Sequence, residues 1–241
     1  MNAFARRVLP ELLDNLSPQD PRAQRSRRDL RNVHRAMGSV SILTRALSNL
    51  TLATSPRCII ELGAGDGTLL LRLAAALHPR WPRVQLTLLD RHDLVTAETK
   101  EAYQTLDWSV TVLRDDALTW ARAATAERYD LCVTTLFLHH FATAELDRLL
   151  AGIAAHTNAF VASEPQRDTL SRLGSRAVFL FGANDVTRED AVKSVAAGFR
   201  EQELTAAWRL VPGEWIIDEH RALPFTHVFT AVRASARRER R

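Results

Sequence analysis

The chain has 241 residues, 46% of them hydrophobic, with 32 Lys and Arg against 28 Asp and Glu and a pI near 9.7. That size suits one larger α/β domain with a helical addition, and no apolar run reaches the roughly 18 residues of a membrane span. The two cysteines, Cys58 and Cys132, lack CxxC spacing, so neither a disulfide framework nor a zinc site is expected, and a reducing cytoplasm fits.

Residues 1–55 read as helices without strands, a cap or lid ahead of the main domain. Met1 to Leu16 mixes Arg6, Arg7, Glu11 and Asp14 with short apolar pieces and has no signal-peptide core, so a cytoplasmic protein is expected. Pro10 opens Glu11-Leu12-Leu13. Asp20-Pro21 is a cap followed by a first-turn proline, predicting a helix through about Ala36. Gly38 breaks it, a further helix is predicted over Val40–Leu52, and Pro56 separates that helix from the first strand. Arg22, Arg25, Arg27, Arg28, Arg31 and Arg35 form one basic cluster, and Arg237, Arg238, Arg240 and Arg241 a tail over 236–241. Such clusters suit an anionic partner, but no aromatic positions interleave them for base stacking. A nucleic-acid partner is therefore not expected.

From Arg57 the pattern alternates. Strands are predicted at 57–62, 84–90, 109–114, 129–135 and 158–163, with helices at 67–77, 93–106, 117–124 and 143–156 between them. Alternation of this kind gives a parallel sheet covered on both faces. The first strand ends in Glu61-Leu62-Gly63-Ala64-Gly65-Asp66-Gly67-Thr68 and runs into a leucine-rich helix. Alternate glycines permit positive φ and close approach of a ligand to backbone, and the helix start offers free N–H groups. Glu61, where a phosphate site would want Lys, suits a ligand with cationic or hydroxyl donors. The third glycine of a dinucleotide GxGxxG would fall at Thr68, and no P-loop Lys follows Gly67. Asp90 ends the second strand, where an acid reaches ribose hydroxyls. After Glu164-Pro165 the rhythm changes. Helices are predicted over 166–181, from Asp185 or Thr187 to Gly198, and over 201–210. Two strands, 215–221 and 226–232, then form an antiparallel hairpin.

Glu61-x-Gly63-x-Gly65-x-Gly67 with Asp90 resembles the first motifs of class I S-adenosylmethionine-dependent methyltransferases, and the resemblance spans Arg57 to Val232. It implies a Rossmann-like α/β fold with a seven-stranded sheet, a C-terminal antiparallel hairpin and an N-terminal helical lid. The methyltransferase domain then covers 56–235, with 166–210 a helical substrate-lid insertion. The resemblance also implies S-adenosylmethionine as cofactor, held by Glu61, Gly63, Ala64, Gly65, Gly67, Asp90, Arg91, Asp115, Asp116, Ala117 and Thr135. Of the two acids after the third strand, Asp116 matches the adenine-facing position better than Asp115. Leu138-His139-His140 is similar to a segment of small-molecule members related to quinone biosynthesis, and other stretches resemble bacterial members of phenolic and polyketide biosynthesis. The fifth strand ends in Glu164 where relatives commonly carry Asp.

The acceptor implied is a small molecule, aromatic or polyketide-like, methylated on oxygen before carbon. In-line methyl transfer mainly needs alignment and exclusion of water. A phenol also gains from a base, and His139 or His140, following the fourth strand, is the candidate. Adjacent positions are not expected both to face the substrate, and the other reading of each is a hydrogen-bonded structural histidine. No metal is expected, because adjacent histidines are poorly spaced as ligands and no carboxylate completes a set. His34, Arg35, Glu164 and Phe181 are candidate substrate contacts, with Phe179 and Trp208 as apolar walls or plain core. A methyltransferase of RNA or another macromolecule, a non-catalytic cofactor-binding protein of the same fold and an NAD oxidoreductase are the alternatives; the last lacks a Tyr-x-x-x-Lys dyad. These motifs specify neither the acceptor's identity nor an oligomeric state.

Overall fold

The computed structural model describes residues 5–123, 128–177 and 182–236. Three helices come first: α1 (Leu12–Asn15), α2 (Pro21–Ala36) and α3 (Ser39–Asn49). Asp20 caps α2 through Arg22 N, and Gly38, at φ +66°, takes the left-handed turn into α3. The alternating part comprises β1 (Cys58–Leu62), α4 (Thr68–Leu77), β2 (Gln85–Asp90), α5 (Ala97–Gln104), β3 (Ser109–Arg114), α6 (Ala117–Arg122), β4 (Leu131–Thr135), α7 (Thr143–His156) and β5 (Ala159–Pro165). Then come α8 (Thr169–Arg176), α9 (Asp185–Ala197), α10 (Glu203–Trp208), β6 (Trp215–Ala222) and β7 (Thr226–Arg233).

The strands form one seven-stranded sheet in the order β3-β2-β1-β4-β5-β7-β6. Strands β1 to β5 pair in parallel; β7 runs antiparallel to both β5 and β6. This is the Rossmann-like methyltransferase sheet with its C-terminal hairpin. The register aligns Leu62 with Leu89 on one side and with Thr134 on the other. Glu61, Asp90 and Thr135 therefore reach the same crest of the sheet, where open α/β sheets bind ligands.

Both faces are buried. Ile59 packs with Leu43, Leu47, Leu73, Tyr103 and Trp108 on one side. Ile60 and Leu62, one position on, pack with Leu149, Ile153, Phe160 and Trp208 on the other. Each such fully buried side chain contributes about 1.5–3 kcal/mol. Trp208 stacks on Phe160 with ring centroids 5.3 Å apart, so it is core and not an acceptor wall. No helix among the described residues is long and apolar enough to cross a membrane.

Several helices are shorter than periodicity predicts, and caps or tertiary bonds explain why. The helix predicted from 93 starts at Ala97, where the Thr96 hydroxyl accepts from Thr99 N. The helix predicted from 166 starts at Thr169 under its Asp168 cap, because Gln166 N and Arg167 N donate to Phe225 O and Phe199 O. The part of that prediction over 178–181 lies outside the described residues, as does the basic tail from 237.

The glycines of the β1–α4 loop have separate roles. A Cβ on Gly63 would meet Phe137 Cδ2 at 2.2 Å, whereas one on Gly65 meets nothing within 4 Å. Both have positive φ, +71° and +56°. Gly65→Ala should then cost only the left-handed backbone strain, about 1–2 kcal/mol. Gly63→Ala adds overpacking of another ~1–3 kcal/mol. Urea unfolding of the two variants should show Gly63→Ala clearly less stable than Gly65→Ala; equal stabilities would contradict the packing role of Gly63.

Candidate active site

The glycine loop is built around two carboxylates of opposite character. Each oxygen of Asp90 holds the loop and keeps a lone pair for a ligand: Oδ2 accepts from Gly65 N at 2.9 Å and Oδ1 from His92 N at 2.9 Å. Glu61 is buried beneath the loop, and its Oε2 has no hydrogen-bond partner. Desolvation, reinforced by the nearby charges of Asp90 and Asp66, pushes its carboxyl well above the usual carboxylate range. A buried, partnerless carboxyl beside an open loop is poised to receive a cation or a donor hydroxyl. Asp66 turns the chain into α4 by accepting from the Thr68 backbone and hydroxyl, and its Oδ2 accepts from Arg31 of α2 at 2.9 Å.

Other parts of the crest are set by the next strands. Asp116 caps α6, accepting from Leu118 N and Thr119 N, while Asp115 Oδ1 accepts from Asp116 N. Thr135, at the end of β4, has a buried hydroxyl with no partner.

Beyond β4 the chain makes one turn of 3₁₀ helix, Leu138–His140. Glu164, fully buried at the end of β5, holds it from below. Its oxygens accept from the backbone N–H of Phe137, Leu138 and His139 at 3.1, 2.9 and 3.4 Å. The longer reach of Glu over Asp is what brings the carboxylate under these amides. The carbonyls of Leu138, His139 and Phe141 accept from the Arg6 guanidinium at 3.4, 3.3 and 2.9 Å. The turn is thus held by a carboxylate on its N–H side and a cation on its carbonyl side.

This turn sets the two histidines. His139 is buried, with Nδ1 2.9 Å from Glu164 Oε2. Its Nε2 faces Glu11 Oε1 at 3.3 Å, an ion-pair distance without hydrogen-bond alignment. Burial alone would lower its pKa, but the flanking Glu11 and Glu164 carboxylates outweigh it and raise it to about 9. His140 is more open, its side chain 25% exposed, with Nδ1 3.2 Å from Asp14 Oδ2. Their ring centroids lie 4.3 Å apart. The rings lie side by side although successive residues of a 3₁₀ turn point about 120° apart, and only His140 is open. A carboxylate also joins them: one ligand atom from each of Glu11, His139 and His140 lies within 4.8 Å of the others. The sequence argument against a carboxylate completing this set is corrected by the position of the N-terminal segment.

A single cavity of about 720 Å³ connects all of this. Glu61, Gly63, Ala64, Gly65, Asp90, Arg91, Asp115, Asp116, Ala117 and Thr135 line one part of it, and His139, His140, His34 and Arg35 another. Burial lowers the pKa of His34 to about 4, with Arg72 adding to the shift against the charge of Asp66. Two predicted contacts are absent from the wall. Gly67 sits behind it, where a Cβ would meet Leu88 Cδ1 at 2.9 Å. Glu164 lies beneath the turn, so it supports the wall instead of touching a substrate. Phe181 and Phe179 fall outside the described residues. Sequence reasoning missed Glu11 and Asp14, which are brought in by α1. Leu12 N and Leu13 N donate to Asp190 of α9 at 2.7 and 2.9 Å, and Ser194 of α9 donates to Glu11. The only local signal was two acids three positions apart beside Pro10.

The methyltransferase-domain family model matches residues 59–159. That match covers about two fifths of the chain, from β1 to the start of β5. None of the curated proteins matches the chain in sequence. Among solved structures, an O-methyltransferase family protein from Burkholderia thailandensis is 17% identical with a TM-score of 0.60, over 89% of this chain and 60% of that one. The plantazolicin methyltransferase BpumL, in complex with SAH, is 14% identical with a TM-score of 0.61, over 89% and 91%. The mitomycin 7-O-methyltransferase MmcR is 19% identical with a TM-score of 0.56, over 92% and 60%. The chain thus spans three fifths of the length of the first and third. At these identities the likeness is one of fold.

The state of Glu61 has a consequence for stability. Its folded pKa is raised, so the folded protein holds this proton more tightly than the unfolded chain. The associated stability is present below the ordinary carboxylate range and is lost as pH rises through the folded pKa. Glu61→Gln should remove that loss. Between pH 5 and 8 the variant's unfolding free energy should fall less than that of the unmodified protein. Parallel curves would show that Glu61 is not held protonated.

Proposed function

We propose that this protein transfers a methyl group from S-adenosylmethionine to a small aromatic or polyketide-like acceptor, at oxygen in preference to carbon. The observation that carries this reading is the single cavity joining the glycine loop and Asp90 to the Glu11, Asp14, His139 and His140 end. Its volume lies in the ordinary range for small-molecule sites. That suits a cofactor with a small acceptor. The mitomycin and plantazolicin enzymes of similar fold support a small-molecule acceptor.

The residues present fit the cofactor. Glu61 supplies a buried carboxylate for a cationic or hydroxyl group, Gly65 an open backbone face, Asp90 the acid for ribose hydroxyls, and Asp115 and Thr135 polar groups further along the crest. Bound there, S-adenosylmethionine supplies an electrophilic methyl group on a sulfonium. The chain supplies alignment, exclusion of water and a route for the acceptor's proton. Helices α1 and α2 form the lid, with Arg31 tied to Asp66 of the glycine loop. His140 is the side chain that takes the proton: it is open to the cavity, and Asp14 at its Nδ1 orients the ring. His139 has both nitrogens turned to carboxylates and fixes the position of its neighbour. C-methylation is the second reading, because the same arrangement deprotonates an activated carbon acid.

The test pairs binding with turnover, using methyl-labelled cofactor and a panel of phenolic and polyketide-type acceptors. His140→Asn should keep its affinity for S-adenosylhomocysteine and lose roughly 10²–10⁴-fold in kcat. The loss should shrink as the assay pH approaches the acceptor's own pKa. A pH-independent loss would point to positioning instead, and a wild-type rate would remove base catalysis from the account.

A further inference from the structure

We propose that Glu11, His139 and His140 form a binding site for a divalent transition-metal ion, of the two-histidine, one-carboxylate kind. Its three ligand atoms lie within 4.8 Å of one another. Around a tetrahedral ion with bonds of about 2.1 Å, ligand atoms sit about 3.4 Å apart. His139 Nε2 and Glu11 Oε1, at 3.3 Å, already have that spacing. The decisive atom is His139 Nε2: it is buried on a side chain only 3% exposed, has no hydrogen-bond partner and points into the cluster.

The surroundings match those of metal-binding histidines. Such rings present one nitrogen to the ion and give the other to a carboxylate that fixes tautomer and orientation. Both rings here have Nδ1 on a carboxylate, His139 on Glu164 at 2.9 Å and His140 on Asp14 at 3.2 Å. Imidazole and carboxylate together suit Zn²⁺, Fe²⁺ or Co²⁺ better than Mg²⁺ or Ca²⁺, which favour all-oxygen sets. Three protein ligands leave an open position toward the cavity, as in catalytic sites. With an ion bound, His140 would be a ligand and no longer a base, and the ion would instead lower the pKa of an acceptor hydroxyl that reaches it. Only this catalytic consequence rests on the methyl-transfer reading; the binding site stands without it.

The experiment reads metal binding directly. The purified protein is stripped with a chelator and titrated with CoCl₂ while the ligand-field absorption of Co²⁺ is monitored, then back-titrated with ZnCl₂. One equivalent of Co²⁺ per chain should bind and be displaced by Zn²⁺. Glu11→Gln and His140→Asn should each weaken binding by at least the ~10–100-fold that loss of an outer-shell partner alone costs. S-adenosylhomocysteine binding, measured by calorimetry on the same samples, reports that each variant is folded and tests the cofactor reading separately. No stoichiometric Co²⁺ binding by the unmodified protein would overturn the proposal. So would unchanged binding in both folded variants, which would assign the ion to histidines elsewhere.

Discussion

The buried Glu164 carboxylate is the contact on which the candidate site depends. A charge removed from water is costly unless it is paired and hydrogen-bonded. Glu164 meets that requirement with three successive backbone N–H groups and the His139 ring. Satisfying it fixes the path of the chain after β4, the orientation of His139 and, through the turn, the place of His140. Arg6 closes the other side of the same turn and lies over the Phe199 ring, its carbon 4.6 Å from the centroid. The N-terminal strap is therefore part of the site's construction, and its acids Glu11 and Asp14 arrive as a consequence.

The opposite end of the cavity obeys a different logic. There the sheet register brings Glu61, Asp90 and Thr135 level, and the loop is held in shape by backbone bonds before any ligand arrives. Gly63 N and Ala64 N donate to Leu89 O, and Asp90 already bridges Gly65 N and His92 N. Ordering that would otherwise be charged to binding is done during folding. The unsatisfied groups there are Glu61 and the Thr135 hydroxyl. On the methyl-transfer reading, these are the groups that a ligand completes.

The sheet was legible because its signals are local. Apolar strands alternating with helical segments, and glycines at fixed offsets after Glu61, report the βα unit directly. Asp90 was legible because the second strand of such a unit lies beside the first. The histidine pair was legible as a segment but not as an arrangement: its 3₁₀ geometry depends on Glu164, placed by a strand that starts about twenty residues later. Glu11 and Asp14 were not legible at all as site residues. Their position depends on Asp190 and Ser194 of α9, far along the chain, and no spacing near Pro10 encodes that contact. The same limit explains Gly67 and Glu164. Their residue types suit a ligand site, yet packing against Leu88 and under the 3₁₀ turn puts both behind the wall.

A crystal structure of the protein with S-adenosylhomocysteine tests the central claim most directly. The account predicts the ligand along the crest, its ribose on Asp90, its amino-acid end toward Glu61 and its sulfur facing the cavity end that holds His140. Ligand bound away from the Gly63–Gly65 loop, or with its sulfur turned from His140 and Asp14, would contradict the account.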